Sequence, residues 1–436
     1  MAGKKRSGLA NHRKAYTWPR STIEVPITYT ITYDGNTNTS GNAPTDSYVP
    51  YSDGSIVTIL GNPGTLAKTG FIFAGWNTDS NGTGTSYSQG NTFTINGNTT
   101  LYAKWTAVPP PSTPTSLSSV GGNQAAYILF TQSGTVTNYE YSTDDGATFL
   151  PFSPAQIYSP VEINTLSSDG VTRLTNGTVY TVKLKAVKSG VSSSESLSVD
   201  VTPAITTLLS SNRVVYLDAN NPSSYSGSGT TWTNLASSGV YNATLNGSPT
   251  FNTTSEPGNK YFEFNPGAAT GQFAQINQAA AINAVTGQPF TIQMWVRINN
   301  VGVGGGALVS KVYLDGEGGA NDGYSFYYQS NNTLQLHANG SQVNYFGSVS
   351  GALSSGWALY TANIIFGGTN KIFVNGRQVM SVTNTDSISV STKPLTFPRG
   401  FGGEGECDIG QFYYYNTQLT TEQIIQNYDA SKPTYM

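Results

Sequence analysis

The densest group of carboxylates in the 436-residue sequence consists of Glu404, Glu406 and Asp408, which occupy alternate positions. Alternate residues of a β-strand lie on the same face, so a strand through this segment would bring the three carboxylates together. Two carboxylates about 5 Å apart serve as acid/base and nucleophile in retaining glycosidases. The Gly-rich residues 400–403 before them are typical of a loop, so the spacing leaves both a catalytic and a structural interpretation open.

A second acidic group lies in a Gly-rich stretch and consists of Asp315, Glu317 and Asp322. Carboxylate oxygens are preferred ligands of Ca²⁺, so the three residues are candidate calcium ligands. The spacing is not that of an EF-hand, and a solvated loop tip is the favoured alternative. Tyr324 follows, and its ring offers the apolar area with a polar tip that suits a sugar. These four residues are the candidate glycan-binding site, and Ca²⁺ is its candidate cofactor.

Two runs of tyrosines could also stack on sugar rings. In strands, alternate residues turn toward the core, so about half of these tyrosines are expected to be packing residues. Trp295 and Trp357 are expected in the core as well. The two runs are Tyr324, Tyr327 and Tyr328, and Tyr413, Tyr414 and Tyr415.

The charge of the chain is concentrated at one end. Residues 1–20 carry six bases and no acid, whereas the rest holds 15 bases and 24 acids, which gives −9. Trp18 favours ordering of this arm on a partner, because a Trp in a free tail has nothing to bury against. We predict that residues 1–24 dock on an acidic protein surface, with a solvated tail as the alternative. The predicted anchoring residues are Lys4, Lys5, Arg6, Arg13, Lys14, Trp18 and Arg20.

Several classes of protein are excluded by residue counts. The single Cys407 rules out a disulfide framework and a CxxC zinc site. His12 and His337 are isolated, which excludes a His-based metal cluster. The net charge of −3 gives no general attraction to nucleic acid. No apolar run reaches the ~20 residues of a membrane-spanning helix, and the basic start lacks the apolar segment of a signal peptide.

The elements that must position these residues are strands. Charged residues make up only 10% of the chain, whereas 48 glycines and 12% aromatic residues accompany many β-branched positions. This composition predicts an all-β fold, and the length predicts two to four domains. Turns and linkers predict a basic arm (1–24), three β modules (25–107, 114–204 and 212–436), a Pro-rich linker (108–113) and a connector (205–211). The Pro triplet predicts a stiff polyproline II linker.

The first module carries the segments "YTITYDGN" and "KTGFIFAGWNTDSNGTGTSYSQGNTFTINGNTTLYAKW". These segments and their order resemble the internalin-type B repeat, also called the Listeria–Bacteroides repeat, a small β-grasp-like module. The resemblance implies a spacer or adhesion module without catalysis, in which Trp76 and Trp105 are core residues.

The second module carries "NYEYSTDDGATF" and "LTNGTVYTVKLKAVKSGVSSSESLSVDVTP". It resembles a fibronectin type III domain, which implies a two-sheet sandwich of about 90 residues. Leu174 and Tyr180 match the family's tyrosine-corner strand, with Val182, Leu184 and Ala186 on its buried face. The favoured role is a rigid spacer.

The third module carries "FTIQMWVRIN", "KIFVNGRQV" and "CDIGQFYYYNTQLTTEQIIQNYD". These segments resemble the concanavalin-A-like, laminin-G-like lectin family, which implies a jelly roll. The resemblance puts residues 408–412 in the last core strand, so Asp408 is favoured as a structural residue and no residue is assigned a catalytic role. Calcium also suits the family. Locally, Asn375 and Gly376 predict a hairpin turn, and Thr420 predicts the start of a helix.

The three resemblances are to families common on outer surfaces, yet no export signal or anchor is recognised in the sequence. We therefore predict a non-enzymatic virion structural protein, namely a capsid-associated decoration, fibre or spike component. In this hypothesis the arm binds capsid or other virion proteins, and the third module faces outward toward host glycans. An oligomer is plausible. The alternatives are an exported bacterial surface adhesin and a glycoside hydrolase of the concanavalin-A-like fold.

Overall fold

A computed structural model of the protein describes residues 25–237, 240–255, 259–264, 271–277, 282–283, 285–299, 305–311, 323–338, 345–354, 356–385, 393–400, 403–404 and 406–436. Strands dominate these residues, and the α-helix they contain lies at residues 421–435. The chain divides into two compact units: residues up to 109 with 189–191, and residues 110–188 with 192–436. Within the described ranges, no helix has the length and hydropathy needed to cross a membrane.

The first unit is a small β module around one apolar core. Its strands are β1 (Thr28–Tyr29), β2 (Ile31–Asp34), β3 (Tyr51–Ser52), β4 (Ile56–Thr58), β5 (Phe71–Asn77), β6 (Ser86–Tyr87), β7 (Thr92–Thr94) and β8 (Thr99–Ala107). The main sheet has the order β2-β8-β5-β6, with β2 parallel to β8. Trp76 is fully buried, and its indole N–H donates to the carbonyl oxygen of Leu60 at 2.9 Å. Trp76 is thus confirmed as a core residue, whereas Trp105 is only half-buried at the rim.

The second module is a sandwich of a three-stranded and a five-stranded sheet. Its strands are β9 (Thr115–Gly122), β10 (Ala125–Thr131), β11 (Asn138–Ser142), β12 (Leu150–Pro151), β13 (Val161–Ile163), β14 (Tyr180–Lys188), β15 (Val191–Ser192) and β16 (Val199–Val201). The predicted face of β14 lies in the core, because Val182, Leu184 and Ala186 are fully buried. The Tyr180 hydroxyl accepts a hydrogen bond from the Thr175 N–H at 3.0 Å, which is a tyrosine-corner contact. The assignment to the fibronectin family stays a prediction.

The third module packs an eight-stranded sheet on a ten-stranded sheet. Its first strands are β17 (Arg213–Asp218), β18 (Thr231–Trp232), β19 (Ala243–Asn246), β20 (Thr250–Ser255), β21 (Asn259–Phe264), β22 (Phe273–Ile276), β23 (Phe290–Ile298), β24 (Gly306–Ser310) and β25 (Tyr324–Gln329). They are followed by β26 (Thr333–Ala338), β27 (Tyr345–Ser350), β28 (Ala358–Ile364), β29 (Thr369–Val374), β30 (Arg377–Thr383), β31 (Leu395–Phe397), β32 (Arg399–Gly400), β33 (Gly403–Glu404), β34 (Cys407–Tyr415) and the helix α1 (Thr421–Tyr435). Strands β20, β21, β34, β23, β28, β29 and β30 run side by side in the eight-stranded sheet, and β17 also pairs with β34.

Two local predictions for this module are confirmed. Asn375 and Gly376 join β29 to β30 with φ angles of 52° and 77°, as expected of a tight hairpin turn. Thr420 caps α1, and its hydroxyl and the Gln423 side chain form a reciprocal capping box.

The sandwich is joined to the third module by a buried carboxylate on α1. Asp429 is 5% exposed and accepts three hydrogen bonds. The donors are the Asn123 N–H at 2.7 Å, the Tyr127 hydroxyl at 2.7 Å and the Thr206 hydroxyl at 2.6 Å. Asn123 and Tyr127 belong to the sandwich and Thr206 to the segment after it, so Asp429 ties both to the helix.

Apolar contacts complete this joint. Ala125 and Tyr127 of the sandwich share one hydrophobic cluster with Trp295 and Tyr428 of the third module. The Tyr127 and Tyr428 rings meet edge to face, with centroids 6.3 Å apart. The sandwich is therefore packed against the third module and is not a free spacer.

We expect Asp429→Ala to destabilise this joint, because it leaves three buried donors without an acceptor. The expected loss in the free energy of unfolding is roughly 2–4 kcal/mol. Urea denaturation followed by tryptophan fluorescence measures it. The matched control is Asp169→Ala, which removes an exposed carboxylate with comparable local hydrogen bonds and should cost much less. Equal losses in the two variants would contradict the role of Asp429.

Candidate functional site

The two sheets of the third module differ in the chemistry of the faces that point away from the shared core. On the eight-stranded sheet this face is aromatic and buried, with Trp295 and Tyr413 fully covered. The cover comes from α1 and from the sandwich, whose side chains join the same cluster. This face is therefore occupied by the protein itself.

The corresponding face of the ten-stranded sheet is polar. Neighbouring strands in the order β18, β19, β22, β31, β24, β25 and β26 place seven residues directly opposite one another. At ~4.8 Å per strand, the row extends over roughly 29 Å. Every member carries a hydroxyl, amide or imidazole: the row is Thr231, Thr244, Gln275, Thr396, Ser310, Ser325 and His337.

The residues next to this row along each strand face the core and are apolar. Ala243, Ile276 and Leu395 lie opposite one another and are fully buried. Phe326 and Leu336 continue the pattern on β25 and β26. The sheet thus alternates cleanly between an apolar inner face and a polar outer face.

Two aromatic side chains flank the polar row on the same outer face. Tyr327 is half-buried and lies opposite Gln335, two positions from the row. Phe273 lies two positions from Gln275 on β22, and the Arg399 guanidinium sits 4.4 Å from its ring centroid. We call the row together with Phe273, Tyr327, Gln335 and Arg399 the polar face.

The polar face is shaped by its burial and by local hydrogen bonds. Ser310, Ser325 and Thr396 in the middle of the row are buried, whereas Thr231 and Thr244 at one end are exposed. The Nε2 atom of His337 is 2.8 Å from the Gln335 Oε1, and its ring centroid is 5.6 Å from that of Tyr327. Burial lowers the pKa of His337, which favours the neutral imidazole at pH 7. The exposed and half-buried ends of the polar face therefore offer hydrogen bonding and stacking to a neutral polar ligand, whereas its buried centre does not.

One predicted glycan-binding residue needs correction. Tyr324 is 1% exposed and packs in the core of the third module, with its ring 4.8 Å from that of Phe290. A sugar cannot stack on it. Of the six tyrosines considered, only Tyr327 is more than marginally exposed. More than the expected half of them are therefore packing residues.

The other predicted ligand-binding residues fall outside the described ranges. These are Asp315, Glu317 and Asp322 of the acidic loop, together with the arm residues Lys4, Lys5, Arg6, Arg13, Lys14, Trp18 and Arg20. The calcium site and the anchoring role stay predictions. Among the residues that are described, no group of three or more potential ligands could hold a metal ion.

The three alternating carboxylates do not belong to one continuous strand. Glu404 lies in β33, which pairs with β24 of the ten-stranded sheet, whereas Asp408 lies in β34 of the eight-stranded sheet. The chain crosses between the sheets, so the spacing argument for a catalytic group is wrong here. Asp408 is 1% exposed and accepts hydrogen bonds from Arg297 Nε at 2.7 Å and Asn299 Nδ2 at 3.0 Å. Burial raises its pKa, although both partners act in the opposite direction. Its position in the last strand is as the resemblance implied.

The sequence pointed to Tyr327 only as one of six aromatic candidates, with Tyr324 chosen for the glycan site, and the rest of the polar face was missed. The signal for Tyr327 was the alternation in β25, where Tyr324, Phe326 and Tyr328 are core residues. The phase of that alternation identifies Tyr327 as outward. The row itself carries no sequence signal, because its members come from strands far apart in the chain.

Comparison with protein families identifies two of the modules. Residues 268–425 match the model described as the concanavalin A-like lectin/glucanases superfamily. Residues 29–104 match the Listeria–Bacteroides repeat domain. The chain is an all-β, multidomain protein with a lectin-like jelly roll as its third module. Two of the three family resemblances are thereby confirmed.

Two curated relatives match the chain over 78 residues, each with 40% identity. Both come from Evansella cellulosilytica and are named "Putative membrane protein" and "Putative Gly-rich membrane protein". The match covers 18% of this chain but 11% and 9% of the relatives. The chain thus spans about a tenth of the length of the curated relatives it matches.

Solved structures similar to the chain include the binding domain of botulinum neurotoxin DC in complex with rat synaptotagmin II. That match has 17% identity, covers 51% of this chain and 52% of the other, and has a TM-score of 0.39. A botulinum neurotoxin type C structure, whose title describes cell entry dependent on two ganglioside molecules, matches with 16% identity over 51% of each chain. Its TM-score is also 0.39.

The buried imidazole of His337 predicts a pH dependence of stability. Because its pKa is lowered in the folded state, the unfolded chain binds this proton more readily, and stability falls as the pH drops through about 6.5. We expect the protein to lose more stability between pH 7.5 and pH 5 than the His337→Gln variant, which keeps a hydrogen-bonding side chain. Urea denaturation at both pH values tests this. Carboxylates titrate alike in both proteins, so an identical loss would rule out a contribution from His337.

Proposed function

We propose that the chain is a non-enzymatic display protein whose third module binds carbohydrate on the polar face. The observation that carries the proposal is the row of seven uncharged polar residues flanked by Tyr327 and Phe273. This face is not used by the contacts that bury the outer face of the other sheet. The match to a lectin-like family supports the same conclusion.

The chemistry of the polar face suits a sugar in two ways. Hydroxyl and amide side chains donate and accept hydrogen bonds, as sugar hydroxyls do. Aromatic rings offer apolar area to the C–H face of a pyranose, and a Tyr also supplies a polar tip. The central residues Ser310, Ser325 and Thr396 are buried, so a sugar has access to the ends of the row, one of which carries Tyr327 and His337.

The non-enzymatic part of the proposal rests on the carboxylates. A glycosidase needs two carboxyl groups on one face at a defined separation. Asp408 is held by Arg297 and Asn299, and Glu404 belongs to the other sheet. A reducing-sugar assay on the oligosaccharides that bind tests this point, and turnover would overturn it.

We expect Tyr327→Ala to weaken carbohydrate binding about tenfold, because the variant loses a stacking surface on the polar face. A glycan array identifies the oligosaccharide, and isothermal titration calorimetry then gives the dissociation constants. Tyr48→Ala is the matched control, since Tyr48 is 79% exposed and lies in the first unit. Titrations with Ca²⁺ and with EDTA test the predicted calcium dependence. Unchanged affinity in Tyr327→Ala would place the sugar elsewhere.

We propose a virion surface as the site of display, with residues 1–24 bound to the capsid or to another virion protein. The +6 charge of residues 1–20 against an otherwise acidic chain supports an electrostatic anchor. The second candidate is a bacterial surface adhesin. It is favoured by the 40% identity with two Evansella proteins named as membrane proteins. Cell fractionation and particle purification separate the two candidates.

Deletion of residues 1–24 is expected to release the protein from particles while leaving its glycan binding intact. Co-sedimentation of tagged full-length and truncated chains with purified particles measures this. A matched variant with Lys4, Lys5 and Arg6 changed to Gln should show a partial loss if charge is the cause. Full incorporation of the truncated chain would contradict the anchor.

A further inference from the structure

The first unit contains a pocket that the proposed function does not use. It has a volume of about 300 Å³ and lies at one end of the sheet β2-β8-β5-β6. Phe71 and Trp105 line it from neighbouring strands, and the loop of residues 79–82 borders it. Lys68 and Lys104 also line it.

The aromatic part of the pocket is held in place. The indole N–H of Trp105 donates to the carbonyl oxygens of Gly35 and Asn36, both at 3.1 Å. Its ring packs edge to face on Phe73, with centroids 5.8 Å apart. Phe71, which continues this face of the sheet, is 38% exposed. The pocket therefore has a preformed apolar surface that water can reach.

The loop beside this surface is also fixed. The Asn36 side-chain amide donates to the carbonyl oxygens of Ser80 at 2.8 Å and Ala103 at 2.9 Å. Asp79 turns its carboxylate into its own loop, where it accepts hydrogen bonds from the Asn81 N–H and the Thr83 hydroxyl. The carboxylate at the pocket is thus engaged by local donors and not by a lysine.

The two lysines are hydrogen-bonded to hydroxyls. The Lys68 ammonium donates to the Thr37 Oγ1 at 2.7 Å and lies 4.7 Å from the Phe71 ring centroid. The Lys104 ammonium donates to the Ser86 Oγ at 2.9 Å. No carboxylate of the described residues lies within ion-pairing distance of either nitrogen. Neither ammonium group is therefore paired with a carboxylate in the part of the chain that the structure describes.

We propose that this pocket binds an acidic saccharide unit, whose ring packs on Phe71 and Trp105 and whose carboxylate meets Lys68, the ammonium group that lies over Phe71. A hydrogen bond from an ammonium to a carboxylate joins two ions and is stronger than one to a hydroxyl, so the ligand offers Lys68 a better partner than Thr37. The volume fits a single ring more closely than an extended chain. The net charge of −9 outside residues 1–20 opposes a polyanion such as nucleic acid.

The test uses the full-length chain carrying Tyr327→Ala, so that binding on the polar face is weakened, and its readout is confined to the pocket. The probes are 3′-sialyllactose, a hyaluronan tetrasaccharide, lactose as the uncharged comparison, and adenosine monophosphate as the nucleotide comparison. The readout is the indole N–H signal of Trp105 in ¹H–¹⁵N spectra, assigned with Trp105→Phe. We expect an acidic saccharide to shift this signal, and lactose to do so about tenfold more weakly.

Two variants decide whether the lysines act. Lys68→Gln should weaken binding of the acidic probe about tenfold and reduce its sensitivity to salt, whereas Lys104→Gln should have a much smaller effect, because Lys104 alternates with Trp105 along β8. Ile72→Ala is the matched control, since Ile72 is 59% exposed and points to the opposite face of β5 from Phe71. It should leave the affinity unchanged.

Three outcomes would overturn the proposal: no shift of the Trp105 signal with either acidic saccharide, an equal shift with lactose, or a stronger shift with adenosine monophosphate. None of them bears on the polar face, because that site is tested separately in the chain that keeps Tyr327.

Discussion

The architecture of the second unit depends on one constraint: the eight-stranded sheet is buried on both faces, one of them apolar and the other a mixture of aromatic and hydrogen-bonded polar side chains. Every residue of β34 is buried, and β23 is buried except for Arg297. A sheet of this kind needs a cover on each side. The ten-stranded sheet covers one face, and α1 with the sandwich covers the other. The outer face of the ten-stranded sheet has no such requirement, because the row of residues across it is polar, and the ends of that row remain accessible to a ligand.

The same constraint explains why the joint between sandwich and helix contains a buried carboxylate. An apolar contact alone tolerates sliding, since the hydrophobic effect has no direction. Asp429 accepts from two donors in the sandwich and from Thr206, and these hydrogen bonds fix one orientation. If that orientation were lost, these donors would be left buried without the Asp429 carboxylate as acceptor. The free-energy cost of unpaired buried donors favours a single arrangement.

The features that could be predicted from the sequence are those that local chemistry determines. Asn375 with Gly376 specifies a turn, and Thr420 specifies a helix start, because each acts on backbone groups within a few residues. Prediction from the sequence failed where tertiary structure decides. The alternation of carboxylates at 404–408 assumed one continuous strand, whereas the chain changes sheets there. Likewise, the period of two in β25 indicated that some of its tyrosines point outward. We expected Tyr324 to be one of them, but it lies in the core. The polar face depends on the register between strands that are distant in sequence, which no local pattern encodes.

The low proportion of charged residues in the chain is reflected in the polar face, whose row consists of uncharged polar side chains. At the accessible ends of that face, hydroxyl, amide and imidazole side chains take the place of ions, so a neutral sugar meets short-range, directional partners whose strength depends little on salt. The pocket of the first unit has the opposite character, because the Lys68 ammonium group lies beside an aromatic surface. On the proposed functions, the neutral part of a glycan would be bound by uncharged hydrogen-bonding groups in the third module. Its acidic part would be bound by a positive charge in the first unit. Binding at both sites would then require a glycan that carries both a neutral and an acidic part. Because the chain has few other positive charges near the pocket of the first unit, it does not attract simple polyanions there.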